Sequence, residues 1–237
     1  MVPSVKFDTD IELDIQMTLS FLAWGNKDGL DFSDSIFGPN PGLREVDMED
    51  EPAVEKFFKK AYAEKKEDLQ KVLEWNRENW GKMEKEYVTR VIKLFKGHEF
   101  PEGKYIGYLS INNCNPRFLE DKTFQMYYKA KVYTRTISHE LLHFIFYDYT
   151  AKVHSKVFGH LDPNEGVYWS LAELFNNVIL SLPEFVELLN NFEDDPYPDH
   201  ERHFVPLQQL WQKTQDVDKF ILEGFEYLSA DAESKST

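Results

Sequence analysis

The stretch TISHELLHFIFY, residues Thr136–Tyr147, places one carboxylate between two histidines in a run that is otherwise uncharged. Burying a lone charge costs several kcal/mol, roughly, unless a partner compensates it. Glu140 therefore needs an explanation that an ordinary core helix does not supply. Either the segment is partly exposed, or a cation lies beside the carboxylate.

The spacing of the two histidines favours a metal ion. His139 and His143 are four residues apart, which on a helix places both side chains on one face with Cβ atoms about 5–6 Å apart. Two imidazoles at that separation can reach one zinc ion, at about 2.0–2.1 Å each. Glu140 lies one step round the helix, beside the open position of the ion, where it can take a proton from zinc-bound water. This is the HExxH pattern; the alternative is a core helix whose histidines bond to backbone or water.

Zinc requires a third protein ligand, and Glu173 is the candidate that stands out. A metzincin would have Gly at 146 and His at 149, so Phe146 and Tyr149 exclude that class. Glu173 lies in VYWSLAELFNNVILSL, a predicted helix that is apolar nearly all round. Two helices that each hold one unexplained acid suggest a single ion between them. A buried Glu173 that is hydrogen-bonded by Ser170 or a tyrosine is the alternative. Four other donors fall in or near a predicted loop: His154, His160, Asp162 and Glu165.

At TISHELLHFI and AELFNN the sequence resembles the gluzincin metallopeptidases, the thermolysin-like group, over residues 105–182. The resemblance implies that His139, His143 and Glu173 bind one zinc ion per chain, with Glu140 as the general base. The family commonly has Asp four residues beyond the glutamate ligand, whereas this chain has Asn177. Asn177 shares a helix face with Glu173, and we expect it to receive an N–H from a liganding histidine.

Composition excludes several classes of partner. The chain has 237 residues, of which 42% are hydrophobic, and a formal net charge of -15. Nucleic acids and anionic membranes both require a basic surface, so neither is expected as a partner. No window resembles a membrane span or a signal peptide, and Cys114 is the only cysteine, so we expect a cytoplasmic protein without disulfides.

The pattern of elements predicts an α+β fold with a small mixed or antiparallel sheet and packed helices. Residues 1–230 are expected to form a single domain, followed by a disordered tail at 231–237. Strict alternation at Ile11–Phe21 predicts a strand, and GNKDG at Gly25–Gly29 predicts a turn leading into Leu30–Phe37. An N-terminal hairpin is expected at 5–37, and backing helices, broken at Gly81, are expected at 52–96. A catalytic core with strands at Tyr105–Ile111 and Thr123–Tyr128 is expected at 105–182. C-terminal helices, including one long helix at Val205–Leu228, are expected at 184–228.

Two supporting features follow from the resemblance. The strand within Lys122–Lys129 holds the place where such enzymes pair with the substrate backbone, although an interior strand is equally compatible with its sequence. An oxyanion stabiliser is also required, and the sequence does not choose among its candidates. These are Tyr147, Tyr149, His160, Tyr168, His200 and His203.

The sequence thus predicts a zinc-dependent peptidase acting on a peptide or protein substrate. Two other functions stay open: a catalytically inactive zinc-binding protein, and a helical interaction protein without metal. The substrate, endo- or exopeptidase action and the oligomeric state are not predicted.

Overall fold

The computed structural model describes residues 3–25, 31–189 and 196–235. These residues form two compact units. The sheet unit comprises residues 3–82 and 103–137, and the helical unit comprises residues 83–102 and the described chain from Ser138 onward. None of the helices in the described ranges has both the length and the apolar character that a membrane span requires.

A four-stranded mixed sheet forms the centre of the sheet unit, which confirms the predicted α+β class. Its strands are β1 (Val5–Thr9), β2 (Tyr105–Ser110), β3 (Arg117–Phe118) and β4 (Thr123–Tyr127). The spatial order is β1-β2-β4-β3, in which β3 alone is antiparallel to its neighbour. Two of these strands were predicted, and each ends one residue earlier than expected.

Close packing at the middle of the sheet requires a glycine. Phe7, Gly107 and Phe124 are neighbours in the register of three adjacent strands. A Cβ atom at Gly107 would lie 2.9 Å from the Phe124 ring and 3.2 Å from the Phe7 ring. The glycine therefore lets two buried phenyl groups pack over β2.

Strand β4 is an interior strand, so the expectation that it pairs with a substrate backbone is wrong. One side of β4 pairs with β2. On its other side, the amides of Gln125 and Tyr127 donate to the Pro116 carbonyl and to Asn115 Oδ1, both at 2.8 Å. Both sides of the strand are thus occupied by the protein's own groups.

The N-terminal segment is helical, and the predicted strand at Ile11–Phe21 and hairpin at 5–37 are wrong. The structure has α1 (Ile11–Trp24) and α2 (Ser33–Phe37) there. Asp10 caps α1 by accepting a hydrogen bond from the Leu13 amide at 3.0 Å. The predicted turn at Gly25–Gly29 lies outside the described residues after Gly25.

Polar side chains explain why α1 forms a helix despite its alternating pattern. Asp14 and Thr18, four residues apart, are its buried residues, whereas the alternating apolar side chains are only partly covered. Asp14 accepts hydrogen bonds from the Tyr62 hydroxyl at 2.7 Å, the Ile111 amide at 3.0 Å and Gln125 Nε2 at 2.6 Å. A helix brings Asp14 and Thr18 within about 6 Å of each other on one face, whereas a strand would separate them by about 13 Å.

The predicted backing helices are present, but their break lies elsewhere. A short 3-10 helix (Pro41–Glu45) precedes α3 (Glu51–Glu64) and α4 (Lys66–Leu94). The break falls at Lys65, and α4 continues through Gly81. Gly81 faces solvent, and apart from its own helix turn no described residue lies within 4 Å of the position that a Cβ would take there. The cost of an exposed helical glycine, about 1 kcal/mol, is small beside the burial of Trp80 and Tyr87 in the same helix.

The helical unit contains the HExxH segment. Its helices are α5 (Tyr133–Val153, from Ser138 onward), α6 (Ser155–Phe158), α7 (Gly166–Leu180), α8 (Pro183–Leu188), α9 (Glu201–Thr214) and α10 (Val217–Lys235). Helix α7 packs against α9 and α10. Aromatic rings fill the core around Phe175, whose ring centroid lies 4.9 Å from Phe146, 5.6 Å from Phe95 and 5.7 Å from Phe220.

The C-terminal predictions require two corrections. The single helix expected at Val205–Leu228 is interrupted at Gln215, whose backbone is left-handed (φ 44°) and ends α9. Helix α10 extends to Lys235, so the predicted tail at 231–237 is helical as far as it is described. A short 3-10 helix, Pro198–His200, precedes α9; residues 190–195 and 236–237 lie outside the described ranges.

We expect Asp14 to make stability fall as pH rises through about 6. Burial raises the pKa of Asp14 from 3.8 to about 6, although hydrogen bonds from Ser110 and Tyr62 oppose the shift. Between these values the folded chain holds a proton that the unfolded chain has lost, so the stabilisation present at low pH disappears as pH increases. Relative to Asp14→Asn, the free energy of unfolding of the wild type should fall by about 2 kcal/mol from about pH 4.5 to about pH 7.

Urea unfolding at both pH values measures this difference. Glu12→Gln, which neutralises an exposed carboxylate on the same helix, is the control and should keep the wild-type pH dependence. If the free energy of unfolding of the wild type, relative to Asp14→Asn, instead increased with pH, the hydrogen bonds and not burial would determine the pKa of Asp14.

Candidate metal centre

Helices α5 and α7 bring the three predicted ligands together. His139 Nε2 lies 3.0 Å from Glu173 Oε2 and 3.0 Å from His143 Nε2. His143 Nε2 lies 3.3 Å from Glu173 Oε1. One ligand atom from each side chain lies within 4.8 Å of the others, and among the described residues no other group of three or more His, Cys, Asp or Glu does so.

The three side chains are shielded from water to different extents. His143 is fully buried and Glu173 is 3% exposed, whereas the His139 side chain is 16% exposed. Burial alone would raise the pKa of Glu173, but the charge of His143 and hydrogen bonds from both histidines outweigh it and hold that pKa well below its usual value. The carboxylate is therefore ionised, and His139 is the member through which solvent reaches the centre.

The separations fit a tetrahedral metal ion. Ligand bonds of about 2.0–2.2 Å in tetrahedral geometry place neighbouring ligand atoms about 3.3–3.5 Å apart. The two Nε2 atoms are 3.0 Å apart, and each lies 3.0 or 3.3 Å from a different oxygen of Glu173, close to that value. Two imidazole nitrogens and one carboxylate oxygen are also a donor set found in catalytic zinc sites.

Side chains from other helices fix the start of the HExxH segment. The Tyr87 hydroxyl donates to the Ser138 carbonyl at 2.5 Å, and Asn176 Nδ2 donates to the His139 carbonyl at 2.9 Å. The ring of His143 stacks on Tyr147 with an interplanar angle of 19°. These contacts hold the backbone of His139 and the ring plane of His143 in place.

The roles expected for Glu140, as general base, and for Asn177, as acceptor of a histidine N–H, stay predictions. Glu140 is 5% exposed, so the carboxylate that raised the initial question is indeed buried in α5. Asn177 is 4% exposed and lies on α7 one turn beyond Glu173. The amide side chain that joins α7 to the HExxH helix is that of Asn176, which sequence reasoning missed because its spacing of three from Glu173 is also an ordinary core spacing.

The other predicted donors do not join the centre. His154 Nε2 lies 2.8 Å from Asp218 Oδ1, on α10. His160, Asp162 and Glu165 are exposed. They contribute no ligand atom to the cluster.

Several candidate oxyanion stabilisers are committed to other hydrogen bonds. The hydroxyls of Tyr147, Tyr149 and Tyr168 bond the Pro163 carbonyl, Asp218 Oδ1 and Thr150 Oγ1, respectively. His203 Nδ1 bonds the Tyr227 hydroxyl at 3.1 Å. His200 is the candidate whose surroundings connect it to the metal centre.

His200 lies beside the N-terminal part of α7. Its Nε2 is 3.2 Å from Ser170 Oγ, three residues before Glu173. Burial lowers the pKa of His200, and the charge of Glu173 partly opposes this shift. The imidazole is therefore held neutral within electrostatic reach of the carboxylate ligand.

Comparisons with known proteins identify no relative of the chain. No protein-family model matches it, and searches of curated proteins and solved structures give no significant match. The likeness of TISHELLHFI and AELFNN to gluzincins therefore stays a prediction.

We expect Glu173→Ala to weaken zinc binding by at least about a hundredfold, because even groups outside the ligand set contribute about 10- to 100-fold. Competition with a chromogenic chelator measures the affinity, and the rise in melting temperature on adding zinc should also disappear. Glu165→Ala, at the exposed N-terminus of the same helix, is the matched control and should bind zinc like the wild type. The reverse pattern would show that Glu173 is not the third ligand.

Proposed function

We propose that the protein is a zinc-dependent peptidase. The observation that carries the proposal is the convergence of His139, His143 and Glu173 from two helices, with the buried Glu140 next in sequence to the most exposed ligand. A structural zinc site would close the coordination shell with four protein ligands. Three protein ligands, one of them in contact with solvent, are typical of a catalytic site.

His139, His143 and Glu173 would hold the ion, through two Nε2 atoms and the carboxylate. This mixed nitrogen and oxygen set favours zinc over magnesium or calcium, which prefer oxygen ligands alone. When bound, the ion supplies Lewis acidity, which polarises a carbonyl and makes water more acidic.

Glu140 is the proposed general base. It would accept a proton from the attacking water and deliver that proton to the departing amine, so that one carboxylate serves both halves of the hydrolysis. Its burial in α5 supports this role, because a carboxylate with little surrounding water is positioned without competition from solvent hydrogen bonds. Asn177, in place of the Asp common in gluzincins, would accept a histidine N–H without adding charge.

The Glu140→Gln variant tests the proposal. The wild type loaded with zinc should cleave members of a mixed peptide library, and Glu140→Gln should lose about 10²- to 10⁴-fold in rate, the usual contribution of general acid–base catalysis. Zinc content should stay the same in both, because Glu140 is not a ligand. Mass spectrometry of the products and elemental analysis give the two measurements.

One control variant and two contrary results complete the test of the peptidase proposal. Glu226→Gln, an exposed carboxylate on α10, should cleave like the wild type. Bound zinc without cleavage by any variant would favour an inactive zinc-binding protein. Well under one zinc per chain after mild purification, with no thermal stabilisation by added zinc, would favour a helical interaction protein.

A further inference from the structure

One partly exposed aromatic ring lies one helical turn from the proposed glutamate ligand, and a second exposed ring packs against it. Trp169 precedes Glu173 by four residues on α7. The Trp169 ring packs against Tyr197 with centroids 5.6 Å apart, and Tyr197 is 41% exposed. His200 lies against both, with ring centroids 5.1 Å from Trp169 and 5.7 Å from Tyr197. We call Trp169, Tyr197 and His200 the aromatic patch.

The aromatic patch lies on the accessible side of α7. Gly166 is exposed, and Trp169 and Ser170 are partly exposed, whereas every residue from Leu171 to Leu180 is buried. Residues spaced by three and four share one helix face, so Gly166, Trp169 and Ser170 lie on the face of α7 on which Glu173 is the first buried residue. A molecule that reaches Glu173 along this helix passes Trp169 first.

Three acidic residues lie within one helical turn, along the chain, of members of the aromatic patch. Glu165 lies one turn before Trp169, whose amide donates to the Glu165 carbonyl at 3.4 Å. Glu201 lies one turn after Tyr197, and its amide donates to the Tyr197 carbonyl at 3.1 Å. Both carboxylates are exposed, and neither forms an ion pair with another described residue. Asp199, also exposed, exerts its charge on His200.

The aromatic patch also contains a buried hydrogen-bond acceptor, the Nδ1 atom of His200. His200 is 5% exposed, and its Nδ1 atom has no hydrogen-bond partner among the described residues. Because burial keeps the imidazole neutral, Nδ1 accepts a hydrogen bond when Nε2 donates to Ser170. Unpaired buried nitrogens are uncommon in folded proteins and indicate a missing partner.

From these contacts we propose that the aromatic patch, with Glu165 and Glu201, binds a lysine or arginine side chain of the peptide substrate beside the cleaved bond. Aromatic faces attract cations, and arginine also stacks on them as a planar group with five N–H donors. The unpaired carboxylates add charge attraction, and the net charge of -15 favours encounter with basic peptides. The position beside the cleaved bond rests on the proposed peptidase function; the binding of the cation does not.

Other side chains fit this surface less well. A phenylalanine would gain contact with the two rings but would leave the exposed carboxylates without a cation. A glutamate would meet three like charges at Glu165, Asp199 and Glu201. The expected order of affinity is therefore arginine, then phenylalanine, then glutamate.

Binding to the zinc-loaded Glu140→Gln protein tests the inference without requiring turnover. Fluorescence anisotropy is measured with labelled alanine–serine peptides that differ only at one central residue, which is Arg, Phe or Glu. The Arg peptide should bind roughly two- to five-fold more tightly than the Phe peptide. Added salt should weaken binding of the Arg peptide more than that of the Phe peptide.

Two changes to the patch should remove the preference. Tyr197→Ala removes one ring, and the double change Glu165→Gln with Glu201→Gln removes two exposed charges while keeping side-chain volume. Each should bring the affinities for the Arg and Phe peptides to within about two-fold of each other. The double variant changes only exposed side chains, so it preserves the test if Tyr197→Ala fails to fold.

Matched controls exist in the same unit. Tyr227 is 38% exposed and packs on His203 with centroids 5.5 Å apart, much as Tyr197 packs on His200. Tyr227→Ala and Glu226→Gln should therefore leave the Arg preference unchanged. Equal or tighter binding of the Phe or Glu peptide, or an Arg preference that survives both patch variants, overturns the inference.

The inference and the peptidase proposal fail in different ways. Arg-selective binding with no cleavage by the zinc-loaded wild type would overturn the peptidase proposal and leave the cation site in place. Cleavage without Arg-selective binding would overturn the cation site and leave the peptidase proposal in place. If both hold, Tyr197→Ala should raise KM for an Arg peptide and leave kcat close to the wild-type value, because the patch contributes binding and not chemistry.

Discussion

A carboxylate enclosed by an apolar helix constrains the structure of the helical unit. Glu173 is 3% exposed, and every neighbour from Leu174 to Leu180 on α7 is buried. An ionised group in that position must be compensated on the spot, because the protein interior screens charge poorly. The compensation comes from His139 and His143, so the register of α5 against α7 has to place both imidazoles 3.0–3.3 Å from the carboxylate.

That register is maintained by contacts on both sides of the centre. Tyr87 and Asn176 bind the carbonyls of Ser138 and His139, at the start of the HExxH segment. Beyond the centre, Phe146 on α5 packs against Phe175 on α7. Polar anchors thus set the backbone of the ligand helix, and an aromatic core sets its distance from α7. This is how a site holds its groups in geometry without support from the ion itself.

The sequence allowed the metal centre to be predicted, but not the groups that support it. HExxH has a fixed spacing on one helix, and an isolated acid in an apolar helix has few explanations other than a cation. Asn176 and His200 carry no such signal, because their roles depend on which helices become neighbours. The aromatic patch likewise joins residues from α7 and from the segment before α9, which no local pattern connects.

The N-terminal error has a different physical origin. Ile11–Phe21 alternates between apolar and polar residues, and a period of two favours a strand when one face is buried. In α1, however, the face that is fully buried is polar, since Asp14 and Thr18 bind the Tyr62 hydroxyl, backbone groups and amide side chains of the sheet unit. A prediction based on hydrophobicity alone assigns polar residues such as Asp14 and Thr18 to the solvent-exposed face. The helix break predicted at Gly81 is wrong for a different reason. Tertiary packing of the neighbouring residues outweighs the weak preference of glycine against a helical conformation.

A comparison of two buried acids, Asp14 and Glu173, shows why only Glu173 marks a candidate metal site. Asp14 is surrounded by hydroxyl and amide donors, and burial still raises its pKa to about 6. Glu173 is just as buried, yet the two histidines hold its pKa well below the usual value. Neutral donors satisfy a carboxylate, whereas a pair of imidazoles facing a carboxylate gathers three metal-ligating atoms in one place. A network of the first kind specifies a fold, and only an arrangement of the second kind creates a place for a divalent ion.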